Sequence, residues 1–241
     1  MRLSDITAVV LAGGLGTRLK TRVPDAPKVL AEVLGRPFVL HLLDRLAEAG
    51  LRRVVLCTGY KAEAVERAVG GQYRSLSVRF SREPAPLGTG GALRLALPLL
   101  DSGVVLALNG DSFVEADLTA FVRWFEGTEA PAALLLTEVA DASRFGLVRP
   151  GPGEEIAGFE EKRAGAGRGL INAGVYLFRR ETLGLIPPGR AFSLERELFP
   201  RLACKGLLGF RGGGRFIDIG TPESFDAAEA FFRGLAGPKA G

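Results

Sequence analysis

Short apolar runs and amphipathic stretches alternate along this chain. Residues 6–12, 53–58, 104–108 and 132–138 are compact apolar runs bounded by turn residues. Such runs predict strands buried on both faces. After Pro37, the residues Phe38, Val39, Leu42, Leu43 and Leu46 fall on one side of a 3.6-residue repeat. They predict a helix packed by that face. Further helices are predicted at 61–69, 89–97 and 118–125, and an alternating strand at 76–81. This order predicts an α/β fold: a Rossmann-like, mostly parallel mixed sheet flanked by helices. In such sheets ligands bind beyond the carboxyl ends of the strands.

The second half is less regular. Residues 145–149, 156–161, 170–178 and 216–219 read as strands joined by glycine-rich links. Residues 192–199 read as a short helix, with Ser193 near its start and Pro200 at its stop. Thr221, Pro222 and Glu223 supply an N-cap, a first-position proline and a first-turn acid for a last helix to about Phe232. With neither repeat nor linker, residues 1–236 are expected to form one domain, with a substrate-facing lobe built from the second half. Residues 237–241 are expected to be a frayed tail.

Composition narrows the function. A net charge of +4 with no basic run interleaved with aromatics argues against nucleic acid and for a basic pocket for a small anion. No apolar run approaches a membrane span. The two cysteines, Cys57 and Cys204, lack metal-ligand spacing and are expected to be buried and reduced, which suits the cytoplasm. The apolar balance suggests a homodimer. His41 is the only histidine, but its helix neighbours Asp44, Arg45 and Glu48 place it on a solvated face rather than in a catalytic site.

The first strand empties into Gly13-Gly-Leu-Gly-Thr-Arg18. A strand ending in glycines and cations is a phosphate-binding design, because glycine lets backbone N–H groups approach an anion and arginine adds a fork of donors. The loop is not a Walker A loop, since Gly16 is followed by Thr-Arg-Leu. Nor is it a dinucleotide fingerprint, since no third glycine follows and the second strand ends without an acid. The kinase signature set is absent.

The loop, with Lys28 ten residues beyond Arg18, resembles the signature of the sugar-1-phosphate nucleotidylyltransferases. The resemblance continues through Glu83-Pro-Ala-Pro-Leu-Gly-Thr89, Leu108-Asn-Gly-Asp111, Phe145-Gly146, Phe159-Glu-Glu-Lys162, Asn172-Ala-Gly-Val-Tyr176 and Asp218-Ile-Gly-Thr-Pro-Glu223. Within that family, the stretches around Asn172, Phe192-Ser-Leu-Glu195 and Asp218 are most similar to D-glycero-D-manno-heptose 1-phosphate guanylyltransferases.

The resemblance implies transfer of a nucleotidyl group, GMP from GTP, to a sugar 1-phosphate, with Mg²⁺ as cofactor. Its implied catalytic set is Arg18 at the leaving pyrophosphate, Lys28 at the α-phosphate, and Asp111 and Asp218 as metal ligands. Leu11, Ala12, Gly13, Gly14, Gly16, Thr17, Glu83, Leu87, Gly88, Thr89, Asn109 and Gly110 are the implied nucleotide-binding residues, with Glu83 a reader of guanine. Gly146, Glu161, Lys162, Asn172 and Gly174 are the implied sugar-phosphate residues. Pro27-Lys28-Val29 departs from the family's usual Pro-Lys-Pro. Alternatives are mannose 1-phosphate guanylyl transfer, uridylyl or thymidylyl transfer, or a nucleotide-sugar-binding regulatory subunit without catalysis.

Overall fold

The computed structural model describes residues 2–19, 21–22 and 24–236. The tail expected at 237–241 lies outside the described residues, as does Lys20.

The strands are β1 (Thr7–Leu11), β2 (Glu32–Val33), β3 (Arg36–Pro37), β4 (Arg53–Thr58), β5 (Gln72–Tyr73), β6 (Leu76–Arg82), β7 (Val104–Asn109) and β8 (Ser112–Ala116), followed by β9 (Ala132–Val139), β10 (Leu147–Pro150), β11 (Ile156–Glu160), β12 (Gly169–Arg179) and β13 (Leu207–Asp218). The helices are α1 (Phe38–Glu48), α2 (Ala62–Val69), α3 (Gly88–Ala96), α4 (Leu118–Glu126), α5 (Arg180–Gly184), α6 (Phe199–Leu202), α7 (Pro222–Asp226) and α8 (Ala228–Ala236). Among the described residues, eleven strands form one mixed sheet in the order β5-β6-β4-β1-β7-β12-β9-β13-β8, with β10 pairing β11 and β12.

From β6 to β7 the sheet is parallel. These strands are apolar on both sides, because one core packs Val10, Leu56 and Leu106 against Phe38, Leu42 and Leu46 of α1. A second core packs Val9, Val55 and Ala107 against Leu93 and Ala96 of α3. Helices on both faces leave the carboxyl ends of the strands open as the binding edge. Beyond β7 the sheet is mixed: β12 runs against both β7 and β9, while β13 runs parallel to β9 and against β8.

Several expectations need correction. β13 begins at Leu207, not Phe216; Gly209, Gly212, Gly213 and Gly214 hid it, because glycine is depleted in strands. β8, over 112–116, lies where no strand is predicted. Pro200 does not stop a helix. It sits in the first turn of α6, where a missing N–H costs nothing, after a π-helical turn at Leu194–Leu198. The last helix is two, α7 and α8, although Thr221 does cap it, its hydroxyl taking the Ser224 N–H.

His41 is not solvated. It is half-buried, its ring lies 4.3 Å from that of Phe232, and its Nε2 is 3.0 Å from the Val33 carbonyl. Burial lowers its pKa. It faces α8 because that helix packs back over α1, a tertiary event that the local charge pattern cannot show. Cys57 is buried but Cys204 is exposed, in the turn after α6 with a φ of 57°. Among the described residues no helix is long and apolar enough to cross a membrane.

Candidate active site

Three adjoining cavities open along the carboxyl edge of the sheet. Asn109, the last residue of β7, lines all three.

The first, about 440 Å³, lies over the glycine loop. Its lining includes Leu11, Ala12, Gly13, Gly14, Gly16, Thr17, Lys28, Glu83, Gly88, Thr89 and Asp111. The amides of Gly13, Gly14, Leu15 and Gly16 donate to no described residue, which leaves them for an anion. Gly16 is required: its φ is +60°, and a Cβ there would stand 3.0 Å from that of Lys28. Gly13 leaves space for Glu83, whose Oε1 a side chain would strike. Glu83 Oε2 accepts the Leu87 N–H at 2.8 Å, and burial pushes its carboxyl above the usual range. A half-buried carboxylate with one oxygen uncommitted among the described residues can accept ring and amino N–H groups of a base.

Two expected nucleotide residues are not in this cavity. Leu87 turns its side chain to the opposite side of α3, toward Arg94 and Pro98, and it is Pro86 that lines the cavity. Gly110 packs on β1: its N–H meets the Leu11 carbonyl at 2.9 Å, and a Cβ would clash with that same oxygen. It sets the turn that aims Asp111 rather than touching the cavity.

The second cavity, about 650 Å³, is lined by Arg18, Asn109, Asp111, Ser112, Arg144, Lys162, Asn172, Gly174 and Asp218, among others. Arg18 therefore faces this cleft rather than the glycine-loop cavity, and it has no protein acceptor among the described residues. Asp111 and Asp218 end adjacent chain segments. Asp218 stands opposite Ser112 in the β13–β8 register, and the Ile219 N–H donates to the Asp111 carbonyl at 2.9 Å. Lys28 Nζ donates to Asp111 Oδ2 at 2.6 Å, with only 11% of the lysine side chain exposed. Arg144, which sequence reasoning missed, donates to both Asp218 oxygens at 2.9 Å and to Ser224 Oγ at 3.2 Å. Its position just before Phe145-Gly146 was the only local signal.

Among the described residues no group of three or more metal-binding side chains occurs. Two hard carboxylates on one cleft nevertheless suit Mg²⁺, which keeps several waters and takes its other ligands from substrate phosphates. The donor chemistry suits that ion, and Asp111 and Asp218, paired here with Lys28 and Arg144, are the residues that would hold it.

The third cavity, about 610 Å³, is lined by Gly146, Glu161, Lys162, Asn172, Tyr176, Ser193, Glu195 and others. Lys162 lines both this and the second cavity. The Tyr176 hydroxyl accepts Asn109 Nδ2 at 3.3 Å and Asn172 Nδ2 at 3.1 Å, and burial pushes its pKa well up. Gly174 has a φ of +74°; a Cβ there would press on Ser112 Oγ at 2.6 Å and Asn109 Nδ2 at 2.9 Å. Its N–H donates to Asn172 Oδ1 at 2.9 Å. Asn172 lines this cavity and Gly174 the second, while Glu195 and Tyr176 were not foreseen as lining residues.

A family model described as Nucleotidyl transferase matches residues 7–233. A mannose-1-phosphate guanylyltransferase of Mycobacterium tuberculosis is 36% identical, covering 98% of this chain and 67% of its own length. A D-glycero-alpha-D-manno-heptose 1-phosphate guanylyltransferase of Aneurinibacillus thermoaerophilus is 33% identical over 92% of this chain and 96% of its own. The solved structure of HddC from Yersinia pseudotuberculosis, also seen complexed with GMP-PN, superposes with a TM-score of 0.85 at 31% identity, over 94% of this chain and 99% of that one.

Proposed function

Because the chain belongs to the nucleotidyl transferase family, we propose that it transfers GMP from GTP to a manno-configured sugar 1-phosphate, D-glycero-α-D-manno-heptose 1-phosphate first among them. A phosphate oxygen of the sugar 1-phosphate attacks the α-phosphorus of GTP. The new O–P bond forms as the bond to the β-phosphate oxygen breaks, and pyrophosphate leaves. The observation that carries this reading is the meeting of Lys28, Asp111 and Asp218 where the glycine-loop cavity adjoins the cleft holding Lys162.

The roles follow from charge and position. The uncommitted amides of residues 13–16 cradle the triphosphate, and Arg18 meets the departing pyrophosphate at the cleft. Lys28, oriented by Asp111, neutralises charge at the α-phosphate. Lys162 holds the phosphate of the sugar, with Glu161 and Asn172 toward its hydroxyls. Glu83 accepts N–H groups of guanine. Mg²⁺ bound by Asp111 and Asp218 would screen the phosphates that must come together. No protein nucleophile is needed, so the task is positioning and charge neutralisation.

The mannose 1-phosphate reading is favoured by the Mycobacterium tuberculosis relative at 36% identity. Assaying GTP, ATP, UTP and dTTP against heptose, mannose, glucose and glucosamine 1-phosphates separates the readings. The expected maximum is GTP with heptose 1-phosphate. A maximum with mannose 1-phosphate moves the assignment to that sugar, and a maximum with UTP or dTTP overturns the guanine assignment.

A further inference from the structure

The sugar side of the site contains a carboxylate whose placement the reaction above does not use. Glu195 sits in the π-helical turn Leu194–Leu198, on the wall of the third cavity with Asn172 and Tyr176. One of its oxygens, Oε2, accepts two hydroxyl protons: Thr89 Oγ1 donates at 2.8 Å and Ser193 Oγ at 2.9 Å. Each hydroxyl is fixed from its other side. The Leu194 N–H donates to Thr89 Oγ1 at 2.9 Å, and the Arg196 N–H to Ser193 Oγ at 3.2 Å. The carboxylate is thereby locked in direction through one oxygen. The other oxygen has no partner among the described residues.

A purely structural role for Glu195 would be to cap this turn, but another acid already does so. Glu197 Oε1 accepts the Ser193 N–H at 3.1 Å, the reciprocal contact of a capping arrangement. The N–H that opens the turn is therefore met without Glu195, whose contacts to Ser193 and Thr89 use one oxygen and leave the other open. Its negative charge also lies close enough to Tyr176 to reinforce the upward push on that phenol, so it faces the polar floor formed by Asn109, Asn172 and Tyr176.

A fixed carboxylate with one open oxygen above a floor of amides and a phenol is suited to a neutral polyhydroxylated ring, since it accepts a hydroxyl proton and repels phosphate. We propose that Glu195 is a specificity-determining residue that accepts a hydrogen bond from a ring hydroxyl of the sugar 1-phosphate. This rests on the nucleotidyl-transfer reading. Thr89 has a second part here: it borders the nucleotide cavity while orienting a sugar-binding group.

The test is steady-state kinetics of Glu195→Gln with GTP and mannose or heptose 1-phosphate. A hydrogen bond to a charged group corresponds to about a tenfold or larger change in affinity. The expected result is a rise of that size in the sugar-phosphate KM, with the GTP KM and the melting temperature unchanged. Monodeoxy sugar 1-phosphates then locate the contact: for one of them the wild type should lose what the variant has already lost, and the two enzymes should converge. Glu195→Asp keeps the charge, is expected to fall between the two, and carries the test if Glu195→Gln does not fold. Equal rises in both KM values with a lowered melting temperature, or no deoxy sugar on which the enzymes converge, would overturn the assignment to Glu195 while leaving the reaction standing. A wild type that transfers GMP to none of the sugar phosphates overturns the reaction and this inference with it.

Discussion

The two halves of this site, proposed to take the nucleotide and the sugar, are built differently. Around the glycine loop the sheet is parallel, and the groups that face the cavity are largely backbone amides left open by glycine. Around Asn172 the sheet is antiparallel, and the cavity wall is assembled from side chains of β7, β12, the 159–162 segment and the 193–199 turn. A triphosphate presents the same oxygens whatever base it carries, so backbone suffices to grip it. Sugars differ by the direction of single hydroxyls, and only placed side chains can tell them apart. The two halves meet at Asp111 and Asp218, which the ladder between β8 and β13 holds side by side.

If that seam is the chemical centre, substitutions there should have the largest effect and should not respect the division. Asp111→Asn or Asp218→Asn is expected to lower kcat by about a thousandfold, with circular dichroism and melting little changed. A near-normal rate in either variant removes that aspartate from the centre. Lys28→Met should cost about a hundredfold or more in kcat. Because Lys28 also neutralises Asp111, its loss should change the Mg²⁺ concentration that gives half-maximal rate; a rate loss that ignores Mg²⁺ would separate the lysine from the metal site.

Glu83 tests the nucleotide half alone. Glu83→Gln is expected to raise the GTP KM about tenfold and to leave the sugar-phosphate KM in place. Burial raises this carboxyl's pKa, so the protonated form, which cannot accept two base N–H groups, appears at higher pH than for an ordinary glutamate. The GTP KM should therefore rise on acidification from a higher pH than an ordinary glutamate would give, and the variant should not show that rise. An unchanged profile in the variant would assign the pH dependence to another group.

His41 gives the smallest effect and lies outside both halves. His41→Ala removes its contacts with Phe232 and Val33 and is expected to cost about 1 kcal/mol, a few degrees in melting temperature, with kcat and both KM values unchanged. Burial holds its folded pKa below the unfolded one, so its contribution is present above the unfolded pKa and is lost as pH falls through the folded value. The variant should lose less stability on acidification than the wild type. A catalytic defect at temperatures where the variant is folded would contradict this purely structural role.

The same division governs what the sequence alone could convey. In the parallel half the apolar runs were unambiguous, and β4 spans the residues its pattern predicted. Lys28, Asp111 and the loop glycines could be singled out as candidates because strand ends and phosphate loops are local features. The sequence does not say which way a turn residue faces, so it could not show that Leu87 and Gly110 stand outside the lining of the glycine-loop cavity. Beyond β7, β13 was half hidden by its glycines. Arg144 and Glu195 owe their positions to partners far along the chain: Asp218 is 74 residues from Arg144, and Thr89 is 106 from Glu195. Such pairings exist only once the sheet has folded. His41 was misjudged for the same reason, because α8 reaches it from the far end of the chain.

In the proposed function the two halves act on one another's ligands. Its most direct test is the stoichiometry of pyrophosphate release with GTP, Mg²⁺ and heptose or mannose 1-phosphate, with the nucleotide sugar identified by mass. We expect one pyrophosphate per GDP-sugar formed, and none when either substrate is left out. Tight GTP binding with no release in the presence of any sugar 1-phosphate, or release that does not need the sugar, would contradict it.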